Sequence, residues 1–218
     1  LGAGSVSSGK VSTEGIFHNT AKLKSVTFSS RVESIAVAMF YGSGIETLDL
    51  PERIEKIGNY AFAASSLRSM VIPDSISGVP GTYIFSECAQ LETVTLSKTM
   101  TRISMNMFEN SGLKSIVIPA NITDVYSYSF KGCSSLTSVT FEGEAIKIAK
   151  QSFMDCTAIE EIVLPAGTVV SDVEAFSGWT DKQTIKVLMS RQNAEFEWKD
   201  GWNIGCNATI VWTDETQA

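Results

Sequence analysis

Cys88, Cys133, Cys156, Cys206 and the single histidine, His18, are the residues of this chain best suited to act as nucleophiles or metal ligands. A thiolate attacks carbonyls or binds zinc, and both roles need partners at defined spacing, usually His or a second Cys. That spacing is missing here. There is no C-x-x-C pair, and one imidazole cannot build a multi-histidine metal site. The Walker loop, the dinucleotide glycine fingerprint, H-E-x-x-H and G-x-S-x-G are absent as well. Asp181, Asp200 and Asp214 gather toward one end, but their spacing fits no calcium loop, so they read as solvated acids. Asn121-Ile122-Thr123 and Asn207-Ala208-Thr209 are glycosylation tripeptides that matter only in a eukaryotic secretory route. The expectation is no enzyme, with no catalytic residue, no metal and no cofactor. The question becomes why the cysteines stand where they do.

They stand at one place in a repeat. Phenylalanine recurs at Phe17, Phe40, Phe62, Phe85, Phe108, Phe130, Phe153 and Phe176, always 22 or 23 residues apart. Each opens the same pattern: Phe, a short polar turn, Leu or Ile, an alternating segment, Pro or a polar pair, and a second apolar pair. The alternating segments, such as "LRSMVI", "LETVTL" and "LKSIVI", have the period of two that marks a strand with one buried face. "TIKV" around Ile185 and "TIVW" around Ile210 continue the series. One buried column reads Val26, Leu48, Met70, Val94, Ile116, Val139, Ile162, Ile185 and Ile210. A second reads Phe28, Leu50, Ile72, Leu96, Ile118, Phe141, Leu164, Val187 and Trp212. Pro51, Pro73, Pro119 and Pro165 follow that column, where a strand tolerates proline.

A unit of this size cannot bury its own apolar face, so units must stack strand on strand. The expected fold is a solenoid, a right-handed parallel β-sheet array of 22–24-residue repeats with short turns or helical turns opposite the sheet. At ~4.8 Å per rung its body is roughly 40 Å long, and the phenylalanines form an internal ladder. Long turns carry Thr20, Cys88, Cys133, Cys156 or Trp179 three residues past the Phe, whereas short turns such as "ENSG" use small residues. Position in the turn therefore explains cysteine, and free, buried thiols are expected. Lys24, Glu46, Arg68, Glu92 and Lys114 alternate in sign at one repeat position, which stacking turns into a surface ladder.

Residues 1–16 are rich in Gly and Ser and read as a linker or frayed N-terminal edge, residues 17–187 as the solenoid, and residues 188–218 as a capping unit. All four tryptophans fall in the last 40 residues, and Trp202 sits where the next Phe would be, so the aromatics close the open end of the core. A net charge of −7 argues against nucleic acid or an anionic membrane as partner. No apolar run approaches the ~20 residues of a membrane span.

"FSECAQLETVTLSKTMTRISMNMF" and "FKGCSSLTSVTFEGEAIKIAKQSF" resemble the BspA-like leucine-rich repeats, whose Phe, Cys, Leu, Val and Pro fall in the same register. The resemblance spans about residues 17–212. It implies a secreted or cell-surface protein of a host-associated bacterium that adheres to host or neighbouring-cell proteins without catalysis. Cys is missing from the short turns and Pro from several rungs, which leaves the fold assignment intact. A protein ligand, such as a host matrix or cell-surface protein, is the expected partner of a monomeric module with no membrane insertion in this segment. The candidate partner-binding residues are Val71, Thr95, Val117, Thr140 and Val163, an outward sheet column without charge. The plainer account of that column is that β-branched residues suit strands. Two alternatives stand beside adhesion: a structural spacer or stalk that presents another domain, and carbohydrate binding through the Trp-rich cap.

Overall fold

The computed structural model describes residues 15–213. The linker expected over residues 1–16 therefore lies outside the described residues except for Gly15 and Ile16. So do the last five residues of the cap, Asp214 among them.

The alternating segments and the apolar pairs that follow them form two separate sheets. Along the chain come β1 (Ser34–Ile35), β2 (Lys56–Ile57), β3 (Ser69–Val71), β4 (Thr93–Thr95), β5 (Arg102–Ile103) and β6 (Ser115–Ile118). They are followed by β7 (Asp124–Val125), β8 (Ser138–Phe141), β9 (Ala145–Ile148), β10 (Glu161–Leu164), β11 (Gly167–Val170) and β12 (Thr184–Val187). A short helix, α1 (Arg191–Glu197), and β13 (Thr209–Trp212) end the series. All pairings are parallel. The first sheet runs β3-β4-β6-β8 and then β10-β12-β13, with β8 beside β10. The second runs β1-β2 and then β5-β7-β9-β11, interrupted at the loop 77–83, where one bridge joins Gly78 to Met100.

The second sheet is not foreseen in the sequence, because most of its strands are two residues long and show no alternation to read. Conversely, the alternating runs at Val26 and Leu48 do not form strands. Their cross-rung bonding includes Glu46 N to Lys24 O (3.3 Å) and Arg68 N to Glu46 O (3.0 Å). Val26, Phe28, Leu50, Phe141 and Ile210 are half-buried rather than enclosed. Val26 and Phe28 belong to the first described rung, and Ile210 to the last strand.

Each rung thus has three sides. A first-sheet strand leads to a turn that joins the two sheets. Where Pro stands there, the carbonyls of Pro51, Pro73, Pro119 and Pro165 each accept from the amide three residues on, at 3.0 Å. A second-sheet strand follows, then a tight turn that wraps the Phe. The eight rings stack face to face, with centroids 5.1–5.7 Å apart and interplanar angles of 5–13°. Phe40 through Phe176 are wholly buried, while Phe17, at the end, is half-buried.

The turn side is held by backbone that crosses between rungs. Around Phe108, the amides of Asn106, Phe108 and Asn110 donate to Ser127, Ser129 and Lys131 of the next rung at 3.2, 2.8 and 2.8 Å. From Phe40 to Phe176, residues two before and two after each Phe adopt the left-handed conformation and supply the outer pair, as at Tyr60, Ala64, Tyr83, Glu87, Asn106 and Asn110. A residue with a Cβ costs ~1–2 kcal/mol there, an expense offset by hydrogen bonds worth about 1 kcal/mol each. Glycine takes the same place at Gly42, Gly132 and Gly178. At Gly132 the reason is also steric, since a Cβ would meet Asn110 Oδ1 at 2.1 Å.

Candidate functional site

Three of the four cysteines are packed into the rungs. Cys88, Cys133 and Cys156 are free and buried, and Cys206 is half-buried. The Sγ atoms of Cys88, Cys133 and Cys156 donate to the carbonyls of Phe62, Phe108 and Phe130, one rung back, at 3.0, 3.0 and 3.1 Å. Trp179 fills the same position in its rung, and its Nε1 donates to Phe153 O at 2.8 Å. In the short turns this place belongs to Ser43, Ser65 and Ser111, and the last two lie within 3.5–3.6 Å of the next rung's cysteine sulfur. Burial pushes the Cys88 thiol up to about 11 and Cys133 to about 12, and raises Cys156 well above the usual thiol range. A neutral thiol without an exposed face is a poor nucleophile. His18 stacks on Tyr41 at 5.0 Å. Among the described residues, no three His, Cys, Asp or Glu side chains come together as a metal site. Asp181 and Asp200 are exposed.

The five candidate binding residues do come together. Cross-strand register places Val71 against Thr95, Val117 against Thr140, and Val163 against Lys186, and the Thr93–Ser115 pairing and the packing of β8 beside β10 bring these pairs into one row on the outer face of the first sheet. Val71, Val117 and Val163 are 65%, 49% and 37% exposed. Isolated exposed valines are ordinary, but here three recur on alternate rungs with threonine between them. A parallel row, Ser69, Thr93, Ser115 and Ser138, flanks them and is likewise exposed. Lys186 ends the uncharged stretch.

Two shallow grooves adjoin the row at the strand ends, a feature that alternation alone does not announce. One, of about 490 Å³, is lined in part by Thr95, Val117, Pro119, Ala120 and Glu142. The other, of about 480 Å³, is lined in part by Thr140, Val163, Pro165, Ala166 and the exposed Leu188. Each lies beside a proline turn, one at Pro119 and the other at Pro165.

From Val71 to Thr140, charge is kept to the edge of this face, whereas Glu161 and Lys186 stand on the face itself at its far end. Lys24 and Glu46 pair at 2.6 Å, Arg68 and Glu46 at 3.9 Å, and Lys114 and Glu92 at 2.9 Å, as the alternation in sign predicts. Hydrogen bonding and charge from Lys24, aided by Arg68, hold the Glu46 carboxyl below its ordinary range. Lys114 does the same for Glu92.

At the far end the tryptophans close the core. Trp202 meets Phe176 edge-on (6.2 Å, 90°) where a ninth stacked ring would lie, and Trp198 packs between Trp202 and Trp212. Trp198 Nε1 donates to Thr168 O at 2.7 Å. Trp179, Trp198 and Trp212 are buried, which leaves only Trp202 half-exposed beside a groove of about 500 Å³. Helix α1 is capped by Ser190, whose Oγ accepts from Asn193 N. Among the described residues, no helix is long and apolar enough to cross a membrane.

A family model for the BspA type leucine rich repeat region, in six copies, matches residues 13–137 and 81–195. In structure the chain is similar to a leucine-rich repeat protein from Eubacterium ventriosum. That match is 21% identical, covers 71% of this chain and 42% of the other, and has a TM-score of 0.63. It is also similar to a leucine rich cell surface protein from Faecalibacterium prausnitzii, 20% identical, covering 92% of this chain and 62% of the other at a TM-score of 0.50. At these identities the likeness concerns the fold. The chain spans less than two thirds of the length of either protein. No curated protein matches it.

Proposed function

Because the chain belongs to the BspA type leucine-rich repeat family, we propose that it is a non-catalytic, extracellular protein-binding module whose binding face is the outer surface of the first sheet. The observation that carries this reading is the uncharged row Val71, Thr95, Val117, Thr140 and Val163, exposed on the sheet and continued into two mainly apolar grooves edged by Glu142 and Glu144. Residues 17–187 form the recognition solenoid in this reading, and residues 188–218 its cap.

Size constrains the partner. Five rungs at ~4.8 Å, about three residues wide, cover on the order of 250 Å², well short of the ~800 Å² per partner of a stable interface. A second copy held by this row alone would dissociate, which favours a monomer. A protein ligand must reach beyond the row into the grooves. Host matrix or cell-surface proteins are the class proposed, and an extracellular location agrees with the fold being found in a protein described as a leucine rich cell surface protein.

The test compares the wild-type chain with Val117→Lys/Thr140→Lys against immobilised host matrix and cell-surface proteins. Loss of binding with an unchanged circular dichroism spectrum supports the assignment, and undiminished binding by the double variant sinks it. The unbroken Phe ladder favours one other reading, a spacer that presents another domain; binding to nothing on the panel would shift weight to it. A glycan array on the same samples addresses the carbohydrate alternative at Trp202.

A further inference from the structure

On the turn side, away from the proposed binding face, three side chains of complementary chemistry meet. Asn106 Nδ2 donates to Glu109 Oε2 at 2.7 Å, and Lys131 Nζ lies 3.6 Å from Glu109 Oε1. One carboxylate thus bridges a side-chain amide and an amine on adjacent rungs. Asn106 is buried, with only 4% of its surface exposed, and its Oδ1 has no hydrogen-bond partner. An orphaned buried carbonyl is costly, and it belongs to the carbon that an amine would attack. Lys131 Nζ also lies 5.6 Å from the ring centroid of Tyr128, which follows Asn106 in the same repeat column.

The backbone fixes this arrangement. Asn106 has φ of 55° and donates to Ser127 O, and the adjoining Asn110 amide donates to Lys131 O. Positions two before the Phe elsewhere hold Gly15, Ala38, Tyr60, Tyr83, Tyr128, Gln151 and Glu174. Positions one after it hold His18, Tyr41, Ala63, Ser86, Met154 and Ser177. Among the described turn positions, Gln151 and Glu174 also pair amide with carboxylate, but amide, carboxylate and amine meet on one carboxylate where Asn106 and Glu109 lie beneath Lys131. A lone Glu–Lys pair would be an ordinary surface ion pair; the buried amide on the same carboxylate is what sets this one apart.

We propose that Lys131 and Asn106 form an intramolecular isopeptide bond, promoted by Glu109, that covalently joins two neighbouring rungs. Glu109 takes a proton from the Lys131 ammonium, and the free amine attacks Asn106 Cγ. The Nζ–Cγ bond forms as the C=O electron pair moves onto Oδ1. A second proton passes from Nζ to Nδ2, the carbonyl re-forms, and the Cγ–Nδ2 bond breaks. Ammonia leaves and takes up the proton held by Glu109. The products are a secondary amide and an ammonium ion, and Glu109 is regenerated. No oxidant, reductant or cofactor enters. Glu109 gathers the amine and the amide on its two oxygens, and bringing Nζ onto Cγ from there is a local side-chain movement that turns a bimolecular reaction into an intramolecular one.

The test is intact-mass and peptide-fragmentation mass spectrometry on the folded, purified chain. The wild type should weigh less than its sequence by one ammonia and should yield a branched peptide joining Lys131 to Asn106. Lys131→Arg and Glu109→Ala, checked for folding by circular dichroism, should each show the full sequence mass. A wild type that keeps its full mass after prolonged incubation overturns the proposal. So does an ammonia loss that persists in Lys131→Arg without a branched peptide, because succinimide formation at an asparagine gives the same mass change without a cross-link.

Discussion

Replacing Phe108 with alanine tests whether the ladder holds the array together. The ring is wholly buried and stacks on Phe85 at 5.6 Å and on Phe130 at 5.3 Å. Truncating a buried Phe costs ~3–5 kcal/mol when the surroundings cannot collapse into the space. Here the rungs above and below are pinned by cross-rung hydrogen bonds, so the cavity stays open and the upper part of that range applies. With ~4.5 kcal/mol lost and a urea dependence of about 2 kcal/mol/M, the midpoint falls by ~2 M. Phe17→Ala, at a half-buried end with one stacked neighbour, should move it by roughly half as much. Stability in a repeat array is carried by nearest-neighbour interfaces. Phe108→Ala weakens two of them in mid-array and should broaden or split the transition. Urea titrations followed by circular dichroism and by tryptophan fluorescence separate the two halves, because every tryptophan lies in the C-terminal part. Coincident curves with a wild-type midpoint would refute the idea that the ladder couples the rungs.

Cys133 should resist thiol reagents in the native protein at pH 8 and react promptly in denaturant; rapid native labelling counts against the packing described. Its thiol stays neutral in the fold up to about 12, whereas an unfolded thiol ionises near ~8.5. Deprotonation therefore favours the unfolded chain, and stability that is intact below pH ~8.5 declines as pH rises toward 12. Cys133→Ala should flatten that decline in denaturation curves taken across the range. Gly132→Ala should destabilise by at least ~1–2 kcal/mol, since it places a Cβ at φ of 71° against Asn110 Oδ1. Glu87→Gly, at an exposed residue with φ of 60°, should raise the melting temperature, and a fall would show that the left-handed turns carry no strain. Glu46→Gln should barely move the denaturant midpoint, because Glu46 and its partners Lys24 and Arg68 sit in solvent.

The ladder and the first sheet are legible in the sequence because Phe108 and its equivalents recur at an interval no single globular core would impose. Ile116 and Ile118 likewise alternate with exposed neighbours. The second sheet is not legible: Asp124–Val125 is too short to show a period, and its pairing depends on the rungs on either side. The left-handed turns escape for another reason. Ala64, Tyr83 and Glu87 are not residues that advertise positive φ, and they adopt it because hydrogen bonds from neighbouring rungs outweigh the local cost. The candidate row can be read from alternation, whereas the grooves beside it arise where proline turns leave the sheet and need three dimensions to be seen.

The turn-side hydrogen bonds also give the molecule a grammar of growth. Each rung offers amides to the rung that follows and carbonyls to the one before, with the same atoms every time. A 22- or 23-residue segment excised or duplicated whole would find compatible donors and acceptors on both faces, while a shift of a few residues would misplace them all. Such a chain changes length most readily by copying or losing an entire rung. The length of its outer sheet face is then set by whole-rung duplication, and point mutation is left to adjust the side chains that face presents.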